Sequence, residues 1–99
     1  MLDLIKNVDI SDIDIANFVL NEPSGLWEGS RNFYWDVINS IKRMKEANTI
    51  TVFRSGNTIN GICCYAFVKR GDEVNKIKWT LPENIIDGPI LYIVACVLN

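Results

Sequence analysis

The chain has 99 residues, of which 48% are hydrophobic and 22% charged, and its net charge is −2. This size bounds it to a single domain, spanning residues 1–99, that buries about 65% of its unfolded surface. The composition is too apolar for a disordered chain and lacks the charge excess of a nucleic-acid-binding surface.

Residues 1–10, "MLDLIKNVDI", open as a short strand. They contain Asp3 and have neither the basic nor the apolar region of a signal peptide. Ser11 begins a helix that runs to about Leu20. Asp14 stands three residues on as in a capping box, Ile10 and Ile15 occupy the staple positions, and Asn21-Glu22-Pro23 ends the helix. "EPSGLWEGS" is a loop with an exposed Trp27 between two glycines, a setting where ligand contacts concentrate. Ser30 is expected to cap a second helix reaching about Ala47, with Phe33, Val37, Ile41 and Met44 as its buried stripe.

From Thr49 the hydrophobic period changes to that of strands. "TITVFR", "TINGICCYAFVKR" and "NKIKW" are rich in β-branched and aromatic residues, with Ser55-Gly56-Asn57 as a hairpin turn and Gly71-Asp72 as a second reversal. "TLPENIIDGP" is a longer connection with room for one helical turn. The uncharged run Ile90–Leu98 follows, and its unbroken apolarity predicts a strand covered on both faces. The resulting order is β-α-α-β-β-(β)-β. It is an α+β fold with two helices packed on a mainly antiparallel sheet of about four to five strands.

Several chemistries are excluded by residue type. The chain contains no histidine, which removes His-based triads and His metal sites, and it has no Walker A or G-x-G-x-x-G motif. Cys63, Cys64 and Cys96 lack metal-ligand spacing, so no metal site is expected. Odd in number, they read as small buried hydrophobes in a reducing cytosol. Glu22 and Glu28 read as solvated loop charges that have no defined partner for general-base work. Lys42, Arg43, Lys45, Lys69, Arg70, Lys76 and Lys78 lie near carboxylates and read as solvated faces. With no apolar run of ~18 residues, the expected location is cytoplasmic, with neither membrane nor nucleic acid as partner. The abundance of Ile, Asn and Lys points to an AT-rich bacterial or phage genome.

The element order resembles the N-terminal half of the GNAT (GCN5-related N-acetyltransferase) family. "LDLIKNVDISDIDIANFVL" is similar to that family's opening strand and first helix. "TITVFRSGNTINGICCYAFVK", with Gly61 in its second half, is similar to the second and third strands, and "GPILYIVACVLN" to the fourth. The resemblance implies an acyl-CoA-dependent N-acyltransferase with acetyl-CoA or another acyl-CoA as cofactor. It places the thioester carbonyl and pantetheine arm near Ile93, Val94, Ala95 and Cys96. It also places the acceptor site beside Pro23–Trp27, with Trp27 and Tyr92 as substrate-binding residues, although Tyr92 also reads as a packing tyrosine. The family's pyrophosphate loop, Arg/Gln-x-x-Gly-x-Gly/Ala, would follow Asn99, so the chain is expected to be a fragment or half-domain in this reading.

An apolar final strand needs cover. Exposing five such side chains forfeits roughly 1.5–3 kcal/mol each. The cover could be a second copy of the chain in a homo-oligomer, a separate partner protein, or a following half-domain. Alternatively the chain is not an acyltransferase, and two helices simply cover one face of an antiparallel sheet. The competing functional reading is then a non-enzymatic protein-interaction module, a small bacterial or phage regulator or inhibitor that binds its partner through the sheet edge.

Overall fold

Two helices pack on one face of an antiparallel sheet in the computed structural model, which describes residues 3–6 and 10–98. The body of the sheet is three strands, β2 (Ile50–Ser55), β3 (Thr58–Val68) and β4 (Ile90–Leu98). The short β1 (Asp3–Lys6) pairs along the outer edge of β2, so the order across the sheet is β1-β2-β3-β4. Residues 1–2 and 7–9, also part of the expected opening segment, lie outside the described residues.

Helix α1 (Asp12–Leu20) starts as expected: Ser11 is extended, and its Oγ accepts from the Asp14 amide at 3.1 Å. Helix α2 (Tyr34–Glu46) starts differently. Ser30 is not its cap. A 3₁₀ segment, Glu28–Phe33, leads directly into α2, and the Ser30 amide bonds the Trp27 carbonyl at 3.1 Å. The buried Ser30 hydroxyl instead donates to the Lys76 carbonyl at 3.5 Å. The buried stripe of α2 is Val37, Ile38, Ile41 and Met44; Phe33 falls in the 3₁₀ segment and is half-buried. The helix ends in a Schellman motif, with Asn48 left-handed at φ 59°. The Asn48 amide bonds the Lys45 carbonyl at 3.1 Å and the Thr49 amide the Met44 carbonyl at 2.8 Å.

The β2–β3 hairpin turns at Gly56-Asn57, with Gly56 at φ 59°, the conformation a two-residue hairpin loop asks of glycine at its first position. "NKIKW" is not a strand. Asn75 Oδ1 accepts from the amides of Ile77 (3.1 Å) and Lys78 (3.0 Å), folding the segment into a turn closed by a single bridge, Asn75↔Thr80. Local side-chain-to-backbone bonding here wins over β propensity. The expected helical turn is also displaced: it falls at Gly71–Glu73, before the long connection.

The core lies between the helices and the sheet. Ile15 and Val19 of α1 and Val37, Ile41 and Met44 of α2 are fully buried, as are Val52, Ile62 and Val94 of the sheet. Each is worth about 1.5–3 kcal/mol. The long connection is fastened to α2 by Arg43, whose guanidinium donates to the carbonyls of Leu81, Pro82 and Glu83. Lys45 fastens α2 to the start of α1, bonding Asp12 Oδ1 and the Ile10 carbonyl at 2.9 Å each. These two cations are therefore partly buried ties, not freely solvated charges.

Candidate functional site

β4 does not have cover on both faces. It pairs with β3 alone among the described residues, leaving its other edge open. Val94, Ala95 and Val97 are buried under the helices, whereas Leu91, Ile93 and Leu98 are 54%, 42% and 71% exposed. Antiparallel pairing with one packed face explains the outcome, because alternate side chains must then point outward whatever their polarity. The segment Ile93, Val94, Ala95, Cys96 thus divides between faces. Cys96, expected in the core, is exposed, and Cys63 is half-buried; only Cys64 is enclosed. Burial, and then the neighbouring cysteines, push the Cys64 thiol up from its ordinary value.

The register of β3 with β4 skips one residue. Cys64 faces Ala95 and Tyr65 faces Ile93, which leaves Val94 as the extra residue of a β-bulge. The hydrogen-bond direction of β3 sets what β4 offers on its free side. The Tyr65 amide donates to the Thr49 carbonyl (3.0 Å) and the Phe67 amide to the Ile85 carbonyl (2.7 Å), both away from β4. Ile93 and Cys96, opposite Tyr65 and Cys63, therefore occupy non-hydrogen-bonded positions and turn their amides and carbonyls to the open edge.

A groove of about 860 Å³ runs between α1 and the β2–β3 hairpin. Its charged lining is Asp14, Glu22 and Arg54, and Val97 and Leu98 form its boundary with the end of β4. Glu22 is held in place by Ser24, whose amide (3.1 Å) and hydroxyl both donate to its carboxylate. Neither Asp14 nor Arg54 stood out in the sequence as a ligand contact, because the helix and the hairpin that bring them together are some forty residues apart.

The two expected substrate contacts are separate from this groove. Trp27 is buried, not exposed, and its ring meets Trp79 edge-on, with centroids 5.6 Å apart. Tyr92 is half-buried, with Lys76 Nζ 5.3 Å from its ring centroid. Segment 71–80 touches both residues, through Trp79 against Trp27 and through Lys76 against Tyr92. Glu28 is exposed. Among the described residues, no group of three or more Cys, Asp or Glu side chains is placed to hold a metal, and no helix is long and apolar enough to cross a membrane.

No protein-family model matches this sequence, and no curated protein or solved structure matches it either.

Proposed function

We propose that the chain is an acyl-CoA-dependent N-acyltransferase-like domain, or the N-terminal portion of one, that receives an extended acyl-thioester arm along the open edge of β4. The observation that carries this reading is the bulge at Val94 on an unpaired edge. It presents the backbone groups of Ile93 and Cys96 within the segment that the family resemblance assigns to the thioester and pantetheine arm. A β-strand edge binds an extended chain through alternating amide hydrogen bonds, and pantetheine is such a chain, with two amides of its own. Bulges next to such edges re-aim backbone donors. These residues suit the amide arm; a phosphate cradle is not among them.

The neighbouring groove suits the acceptor. Its two carboxylates, Asp14 and Glu22, favour a cationic amine, and either can take the proton that the amine must lose before it attacks. Reaction forms the C–N bond and breaks the C–S bond of the thioester, the sulfur leaving as thiolate. The protein contributes orientation and a site for the released proton.

Isothermal titration of the purified chain with acetyl-CoA tests the reading. Heat is expected from the wild type and none from Ile93→Pro, which removes an edge amide while proline remains tolerated on an edge strand. Circular dichroism of the variant should be unchanged. A well-folded wild type that gives no heat would remove the reading.

A second reading, a protein-interaction module, is favoured by the exposed apolar side chains Leu91, Ile93 and Leu98 on the outer face of β4. A stoichiometric protein partner captured from host lysate, with no response to acetyl-CoA, would select it.

A further inference from the structure

The outer face of the sheet brings two thiols together in one cross-strand row. Cys63 of β3 and Cys96 of β4 are direct register partners. The amides of Tyr65 and Phe67, turned away from β4, define the parity of β3, and by that parity Cys63–Cys96 is a non-hydrogen-bonded pair. Such pairs hold their Cα atoms about 4.5 Å apart with both side chains on the same face. A disulfide needs Cα atoms roughly 4.4–6.8 Å apart, so closure asks for side-chain rotation with little backbone movement. Burial, and then the neighbouring Cys96 thiol, push the Cys63 thiol up from its ordinary value.

Their surroundings separate the roles. Cys96 is exposed and meets a reagent first, whereas Cys63, beside it on the neighbouring strand, is half-buried. Cys64 is enclosed on the opposite face, among the core residues, and takes no part. The flanking pairs in the row are Gly61–Leu98 and Tyr65–Ile93. The space over Gly61 is taken by Leu98: a Cβ built there would meet Leu98 Cδ2 at 2.6 Å, so the Leu98 side chain folds over the glycine.

We propose that Cys63 and Cys96 form a redox-active dithiol that closes into a cross-strand disulfide by exchange with a low-molecular-weight disulfide. The Cys96 thiolate attacks one sulfur of the small disulfide, forming a mixed disulfide and expelling one thiolate. The Cys63 thiolate then attacks Cys96 Sγ and expels the second. Two protein thiols are oxidised, the small disulfide is reduced to two thiols, and the protons released by the cysteines pass to them. The bond ties β4 to its neighbour β3 on the outer face of the sheet. The assignment stands whether or not the chain binds an acyl-CoA.

The full chain is incubated with oxidised glutathione, then assayed for free thiols, intact mass and the identity of the linked peptides. The expected result is loss of two of the three thiols, a mass lower by two hydrogens, no retained glutathione, and a 63–96 crosslink reversed by reductant. Cys63→Ser is expected to stop at a glutathione adduct on Cys96, and Cys64→Ser to behave as the wild type. A wild-type chain that keeps glutathione on Cys96, crosslinks mainly between molecules, or retains all three thiols overturns the proposal.

Discussion

Trp79 shows how a single residue is held against its own preference. Its φ of 55° is left-handed, a region that bulky side chains rarely enter. The strain is compensated by burial: Trp79 is 1% exposed, packs edge-on against Trp27, and its carbonyl accepts the buried Ser40 hydroxyl. Ser40→Ala is therefore expected to lower the unfolding free energy by about 1–3 kcal/mol, the cost of leaving a buried carbonyl unpartnered. Urea titration would measure it. Ser40 carries no sequence signal for this role, being an ordinary polar residue on a helix whose partner lies thirty-nine residues away. The same holds for Gly88. A Cβ there would fall 2.1 Å from the Val68 carbonyl carbon, a contact with backbone that cannot rotate aside.

At the scale of elements, boundaries set by local chemistry were legible. The Ser11 cap, the end of α1 before Pro23, and the Gly56-Asn57 hairpin each depend on residues within a few positions of one another. The end of α2 follows the same rule, closing on the left-handed Asn48. Asn48→Ala is expected to cost about 1 kcal/mol, because a Cβ without asparagine's local bonding disfavours that conformation. Asn48→Gly should match or exceed the wild type. Thermal unfolding of the two variants side by side provides the check, and equal loss in both would remove the Schellman account. The start of α2 was less legible: a 3₁₀ lead-in satisfies the same amides that a serine cap would, and burial of Ser30 directed its hydroxyl elsewhere.

The whole molecule is a one-sided sandwich. Both helices lie on one face of the sheet, and the other face carries the half-buried Phe53, Tyr65 and Phe67 beside the exposed Leu91, Ile93 and Leu98. Substituting Leu91→Lys together with Leu98→Lys is expected to change the unfolding free energy by no more than about 0.5 kcal/mol, since neither side chain belongs to the core. Binding of a fluorescent apolar-surface dye should fall in the same variant. Val94→Asp, on the covered face of the same strand, should prevent folding by burying an unpaired charge. A large loss of stability in the double lysine variant would show that the outer face is part of the core.

The sequence by itself determined the two helices, the hairpin, the antiparallel β strands and the location of the most apolar strand, because caps, turns and hydrophobic period act between near neighbours. Tertiary structure decided which side of Ile90–Leu98 is covered, that Trp27 is buried while Cys96 is exposed, and that Asp14, Glu22 and Arg54 share a groove. Those outcomes depend on the packing of distant segments. An uncharged nine-residue run has the same composition whether one or both of its faces are buried, and only the elements packed against it distinguish the two.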